Sequence, residues 1–305
     1  DKGRLRSALA ELSEQDPLID VRQDDERQEI AVSLYGEVQK EVIGATLARD
    51  YGVDVTFRET TIIHIERPAG RGEAVEILRA KTKTNITGKS SPTSSNPFHA
   101  TLALRVEPAP VGSGVHVRVD VDVRLVPLYI FKTVDVFVEQ MAGYVRDALQ
   151  EGLCGWQVTD CTVTITDCGY GAPGTTAGDY RKLTPMVVMR ALERAGTRVC
   201  EPMASVRLDV PTDSASAVLS LLARLRAGVE PPMVQADIST IRAVLPMALV
   251  HDLQRRLPTL TAGEGVLESR FLGHEPVTGP APTRLRTTPD PRNREEYLMS
   301  LARRS

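Results

Sequence analysis

Few of the residues that announce a catalytic or metal site occur in this sequence. The 305 residues hold four cysteines, Cys154, Cys161, Cys168 and Cys200, and five histidines. No CxxC pair, HExxH or GxSxG is present, so the common metal and hydrolase signatures are excluded and no metal site is expected. The cysteines read as small core hydrophobes, unpaired in a reducing compartment. Aromatic residues make up only 4% of the chain, so its cores must rely on Val, Leu, Ile and Ala. No apolar run is long enough to span a bilayer, and no signal peptide opens the chain, so a cytoplasmic, membrane-free setting is expected. Positive charge is not in excess either: the formal net charge is −3, so contact with nucleic acid must use local patches. The chain begins at Asp1 without Met, close to its first helical pattern, and reads as a piece of something longer.

What is present is well patterned. Leu5, Ala8, Leu9 and Leu12 have helical spacing. Ile19 and Val21, then Ile30, Val32 and Leu34, alternate about a charged turn at Asp24-Asp25-Glu26-Arg27, as in a hairpin. "EVQKEVIGATLARDYG" reads as a second helix, and "VDVTFRETTIIHIERP" as one or two more strands. A middle segment carries strands at "GEAVEILRA", 100–106 and 115–123, a helix from about Val134 to Gln150, and a strand over 158–166. A helix over "TPMVVMRALERAG" follows, with Thr184 as cap and Pro185 in its first turn. A third segment then reads β-α-β-β-α-β, its first helix capped by Asp213 or Ser214. The last residues are Pro- and Arg-rich, then helical from about Asn293, with Leu298 and Leu301 as a thin apolar stripe and a frayed, solvated terminus as the alternative.

Two loops stand out. "NITGKSS" resembles the end of a phosphate loop, but the first Gly of that motif is replaced by Lys83, and Pro92 and Pro97 deny it the following helix. A nucleotide or kinase site there is rejected in favour of a basic loop with Lys81, Lys83 and Lys89. The second loop, "CGYGAPGTTAGDYRKLTP", carries four glycines and no apolar period. On its residues alone it is an ordinary surface loop.

Longer stretches resemble a known family. "ALAELSEQDPLIDV" with "YGEVQKEVIGATLARDYGVDVTFRETTIIHIERP" is similar to the third domain of elongation factor G and its relatives. "NPFHATLALRVEPAPVGSGV", "EGLCGWQVTDCTVTI" and "DYRKLTPMVVMRAL" resemble their fourth domain, and "LPTLTAGEGVLESRFLGHEPV" the end of the fifth. The wording "QDPLI", "GEVQKEVI", "IERP", "GWQVTDC" and "DYRKLTP" resembles the tetracycline-resistance ribosomal protection proteins more than elongation factor G itself. The resemblance implies an α+β fold. Two ferredoxin-like βαββαβ-type domains, 1–68 and 198–278, would flank a domain like domain 2 of ribosomal protein S5 at 69–197. A tail and C-terminal helix would occupy 279–305. It also implies that GTP and Mg²⁺ belong to a preceding domain, so that this chain alone is no enzyme and holds no cofactor. The partners it implies for a monomeric, cytoplasmic protein are the ribosome, the small-subunit rRNA of the decoding region and the GTPase-associated region of the large subunit. The alternative is an elongation factor G paralogue that acts in translocation without resistance.

On this resemblance the tip that meets rRNA is Tyr170, Gly171, Ala172, Pro173, Gly174, Thr175 and Thr176. A second tip element falls at Arg124 to Thr133, with Pro127, Leu128, Tyr129 and Lys132 as candidates, although this stretch is longer and more apolar than in the best-known members. Lys81, Lys83, Lys89, Arg181 and Lys182 are candidate phosphate contacts. The chemistry suits the role: glycines let backbone approach RNA closely, Pro173 stiffens the tip, and a Tyr ring can stack on an unpaired base. Thr175 and Thr176 could hydrogen-bond phosphate or 2′-OH groups.

Overall fold

The structure is a computed structural model that describes residues 2–15, 19–24, 29–33, 37–57, 63–78 and 96–303. The chain divides into two units, Asp1–Ile63 with Glu201–Glu275, and His64–Cys200 with Pro276–Ser305. Lys81, Lys83, Lys89 and the Gly88-Lys89-Ser90 loop lie outside the described residues, as do 25–27 of the charged turn.

The first segment is built as its periodicity dictates. Helix α1 (Lys2–Gln15) precedes strands β1 (Asp20–Asp24) and β2 (Glu29–Ser33), and helix α2 (Glu37–Tyr51) follows. The strands are antiparallel, with Val21 opposite Val32. Ala8 and Leu9 of α1, Ile43 and Leu47 of α2, and Ile19 are buried together, and Val55 and Phe57 pack against them. Of the one or two strands expected over 53–68, residues 53–57 supply none and pack on the core instead. The strand that does form, β3 (Ile65–Pro68), belongs to the other unit.

That unit continues with β4 (Gly72–Glu76), β5 (Ala100–Pro108), β6 (Val115–Val119), the single turn α3 (Leu128–Phe131) and helix α4 (Val134–Ala148). Then come β7 (Gln157–Val158), β8 (Cys161–Tyr170), α5 (Ala177–Ala195) and the start of β9 (Thr197–Pro211). A four-stranded sheet has the order β4-β5-β8-β6, with β8 and β6 parallel and the other pairs antiparallel. Strand β5 alternates strictly, placing Ala100, Leu102, Leu104 and Val106 on the buried face. Those residues meet Phe137, Met141 and Val145 of α4 and Leu183, Met186 and Val187 of α5 in one core. Each such side chain contributes roughly 1.5–3 kcal/mol by leaving water. Cys161 and Cys168 are part of this core, and burial pushes both thiols up to about 12.

The expected helix start at Thr184 is wrong by two turns. Thr176 is the N-cap of α5, and a reciprocal pair of hydrogen bonds with Asp179 closes the start. Pro185 therefore lies inside the helix, where it supplies no N–H. The adjacent Thr184 hydroxyl turns back to donate to the Tyr180 carbonyl at 2.7 Å. The sequence carries the better start signal, Thr-x-x-Asp, eight residues before the one chosen.

The remaining segment of the first unit follows the expected order. After β9 come α6 (Ala215–Arg224), the short β10 (Gly228–Val229) and β11 (Met233–Gln235), then β12 (Ile238–Pro246), α7 (Met247–Leu260) and β13 (Val266–Pro276). β13 pairs β9, β9 pairs β12, and β12 pairs β10 and β11. This is the strand order of a ferredoxin-like βαββαβ unit. Val206, Leu208, Ile241 and Leu245 face Val218, Leu222 and Leu253 in its core. Ser214 occupies the N-cap of α6 but makes no side-chain capping bond, so the expected cap is present in place only.

The closing residues do not form a separate frayed tail. Residues 276–305 belong with 64–200. Helix α8 (Arg294–Arg303) buries Tyr297 in that unit's core, with Leu298 and Leu301 packed beside it. Tyr297 donates to the Lys182 carbonyl at 2.9 Å, and Arg294 pairs with the buried Glu76 at 3.1 Å. Upstream of α8, Glu151 accepts from the N–H and hydroxyl groups of both Thr287 and Thr288.

Candidate nucleic-acid interface

The glycine-rich loop is shorter than its sequence suggests. β8 runs through Tyr170 and α5 begins at Ala177, so only 171–176 are loop. Gly174 and Thr175 both donate their N–H to the Gly171 carbonyl, at 2.8 and 3.1 Å. The Thr175 hydroxyl accepts from the Gly171 N–H at 2.9 Å and donates to the His99 carbonyl. His99 N–H in turn donates to Asp179 Oδ1 at 3.2 Å, while Asp179 Oδ2 accepts from the N–H of Thr176 at 2.8 Å. The Ala172–Pro173 peptide is cis. What remains exposed is the apex, Ala172, Pro173 and Gly174, together with Thr176.

The second expected element lies directly beside it. Pro127 accepts from the N–H groups of Ile130 and Phe131 and starts the one-turn helix α3. Thr133 N–H then donates to the Phe131 carbonyl at 2.7 Å across Lys132, which has φ 65° and ψ −48°. This is a γ-turn of the rare hand, held in place by the cap of α4 that follows. Thr133 forms that cap, its hydroxyl accepting from Val136 N–H at 3.3 Å. Out of this frame Tyr129 reaches across to the loop. Its hydroxyl donates to the Thr175 carbonyl at 3.1 Å, and its ring lies 5.5 Å from that of Tyr170, tilted by 55°. Tyr129 is 50% exposed and Tyr170 36%. Leu128 and Lys132 are exposed too.

The structure thus brings Tyr170, the 171–176 loop and Tyr129 into one cluster, with Leu128 beside Tyr129 in the sequence. Three of the candidate contacts are engaged within the fold. Pro127 is buried and serves α3. Thr175 is only 2% exposed, and its hydroxyl is used inside the loop. The Thr176 hydroxyl is used by its cap with Asp179. Short hydroxyls beside glycine satisfied the turn before they could serve a partner. Arg181 is exposed at the first turns of α5, and Lys182 is half-buried, its carbonyl held by Tyr297. Sequence reasoning missed Asp179 and His99 as the loop's anchors; the Thr-x-x-Asp spacing was the available signal for the first.

Elsewhere in this unit two carboxylates, Glu66 and Asp160, are buried. Glu66 is fully buried and accepts from the N–H groups of Leu153, Cys154 and Trp156 and from the Thr197 hydroxyl, all within 3.1 Å. Asp160 accepts from Gly114 N–H and pairs with Arg67 at 2.6 Å. Burial opposes its charge, but the N–H groups of Gly112 and Gly114 and the Arg67 guanidinium outweigh that and hold its carboxyl below the usual range. These carboxylates are structural: every one is saturated by donors. Among the described residues no group of His, Cys, Asp and Glu could hold a metal ion. No described helix is long and apolar enough to cross a membrane.

Comparison with known proteins gives consistent matches along the chain. The profile for elongation factor G, domain III matches residues 1–59, that for elongation factor G, domain IV matches 75–196, and that for the elongation factor G C-terminus matches 198–285. The chain belongs to the elongation factor G-like family. The chain is 40% identical over its whole length to the oxytetracycline resistance protein of Streptomyces rimosus, of which it covers 44%. It is 38% identical, over 90% of its length, to a tetracycline resistance protein of Streptomyces lividans, and 31% identical, over 97%, to one from Clostridium perfringens. It spans less than half the length of these relatives, 44%, 40% and 42%. A crystal structure of a Thermus thermophilus protein superposes on 91% of the chain, which covers 39% of that protein, with a TM-score of 0.62 at 21% identity; this supports the α+β fold. Both the 171–176 loop and the Tyr129 turn lie inside the domain IV match of this elongation factor G-like chain.

Proposed function

We propose that this chain is the ribosome-engaging part of a translational GTPase that dislodges tetracycline from the small-subunit decoding region and so confers resistance. The observation that carries the reading is the tip. A loop braced by hydrogen bonds at Gly171, Gly174, Thr175 and Thr176 leaves Ala172-Pro173-Gly174 exposed at its apex. A probe entering a narrow RNA pocket must be thin and already ordered, because order created on binding weakens binding. The similarity to tetracycline resistance proteins over the whole chain supports the same reading. GTP and Mg²⁺ belong, in this reading, to a G domain outside the chain, which by itself turns over no nucleotide.

Tyr170 offers a ring to an unpaired base, and Arg181, Lys182, Lys81, Lys83 and Lys89 serve as phosphate contacts. The large-subunit partner is the GTPase-associated region, and the protein works as a cytoplasmic monomer. The domains run 1–68, 69–197 and 198–278, with 279–305 an extension that packs on the second of them.

The test is expression of the complete protein in a tetracycline-sensitive host. The wild type should raise the minimum inhibitory concentration, and deletion of 171–174 should return it to baseline while the protein stays folded. Full resistance from a stable deletion variant would overturn the assignment. Removing the lysines and Arg181 should instead weaken ribosome binding and lower its salt dependence, each lost phosphate contact reducing the slope by about one.

A further inference from the structure

We propose that Tyr129 is a positioning residue for the tip loop: it holds the 171–176 apex in its binding shape from the neighbouring element. The inference rests on the function proposed above for the loop, and it adds a residue that the loop's own sequence does not contain.

Among the described residues, three sets of bonds fix the loop. One lies within it, where Gly174 and Thr175 donate to the Gly171 carbonyl. A second comes from the start of β5 and from α5, through His99 and Asp179. The third is the Tyr129 hydroxyl on the Thr175 carbonyl at 3.1 Å. Only this third bond reaches the loop from the 127–133 turn. It falls at Thr175, the residue that closes the apex, on the carbonyl of the peptide that leads into the α5 cap. The ring adds a second contact, against Tyr170 on the other stem of the loop. Tyr129 therefore touches both stems, Tyr170 before the apex and Thr175 after it. Its own position is fixed by the α3 turn and by the γ-turn at Lys132. At 50% exposure, Tyr129 contributes little to the core, so its polar contact is not a by-product of burial.

A side chain that matters to folding and one that matters to loop shape give different signatures here. Tyr129→Phe keeps the ring against Tyr170 and removes only the hydroxyl. In the full chain, the thermal midpoint of Tyr129→Phe should match the wild type. Amide exchange at Gly174 and Thr175, read by NMR or mass spectrometry, should rise about fivefold, the scale of one lost hydrogen bond. Exchange in the β5·β8 ladder should not move. Tyr129→Ala should raise loop exchange further, and Leu128→Ala, on the same turn, should leave it unchanged. In the complete protein, resistance should fall in the order wild type, Tyr129→Phe, Tyr129→Ala. Unchanged loop exchange in both Tyr129 variants would overturn the proposal, and so would raised exchange with full resistance. If the wild-type protein gives no resistance at all, the functional reading of the loop fails, and the exchange data alone decide whether Tyr129 holds it.

Discussion

Two loops of the same unit make an instructive pair. One, 171–176, ends the β8 strand; the other, 151–156, follows α4 and receives the closing residues of the chain. Both are rich in glycine and both look like exposed connectors in the sequence. The 151–156 loop is wrapped about carboxylates. Glu66 takes three of its N–H groups, and Glu151 gathers Thr287 and Thr288. Its glycine is obligatory, because a Cβ on Gly152 would lie 2.7 Å from the Glu66 carboxyl and 2.6 Å from Val158 Cγ2. The 171–176 loop contains no buried charge, and its glycines are not demanded by the fold. Among the described residues, a Cβ on Gly174 would meet nothing nearer than the Gly171 carbonyl at 3.6 Å, and one on Gly171 nothing nearer than Leu78 at 3.4 Å. Glycine that the fold requires is explained by packing; glycine that the fold merely tolerates invites an explanation outside the molecule.

The comparison is broken most severely at Glu66. Glu66→Ala removes the acceptor of three N–H groups and a hydroxyl at a buried site, and at roughly 1–3 kcal/mol for each orphaned donor the loss should reach about 4 kcal/mol. Denaturant unfolding of the chain should show a lower midpoint with the 171–176 loop still in its native exchange pattern. Gly152→Ala comes next, at about 2 kcal/mol, the scale of an overpacked core position. If Gly152→Ala proved neutral in the same unfolding experiment, the 151–156 loop would be no more constrained than the tip.

These contrasts were only partly legible beforehand. The alternation of 100–106 and the helical spacing of the first helix delivered strands and core directly, since a period of two or about 3.6 names its own buried face. Glu66 and Glu151 gave no such sign. A carboxylate in a sequence looks solvated, and what buries it here comes from 87 or more residues away. In the tail, the helix with Leu298 and Leu301 was legible, but the Pro-Arg composition before it hides a Thr287-Thr288 pair whose partner is remote. At the tip, Tyr129 and Tyr170 could each be picked out as exposed rings, but not as neighbours, because the turn at Lys132 that aims Tyr129 uses a backbone conformation no pattern announces.

Acid should separate the two loops more gently. Burial opposes charge on Glu151, yet the hydroxyl and N–H groups of Thr287 and Thr288 outweigh it and hold the carboxyl below its ordinary value of 4.5. A carboxyl lowered in the folded state stabilises fully above its unfolded value and loses that contribution as pH falls through the folded one. Stability of the chain should therefore decline below about pH 4.5, and Glu151→Gln should flatten that decline while lowering stability at pH 7. Protease cleavage within 282–303 should rise first in the wild type on acidification. Asp160, lowered in the same sense, adds to the loss at still lower pH.

The smallest effect on stability is expected where the functional effect is largest. Gly174→Ala adds a methyl group to an exposed apex with ordinary van der Waals room and no left-handed backbone. Removing a glycine also narrows the unfolded ensemble, so stability should stay the same or rise by up to about 1 kcal/mol. The fold gives no reason for the substitution to be harmful. An RNA pocket does, because the methyl thickens the strip of backbone that must enter it. The complete protein with Gly174→Ala should therefore lose resistance at undiminished stability, and Pro173→Ala, which trims the apex instead, should lose less. Measuring the unfolding midpoint and the minimum inhibitory concentration on the same variants decides it. If Gly174→Ala keeps both, the apex does not fill a tight site, and the freedom of its glycines reflects nothing more than an unconstrained turn.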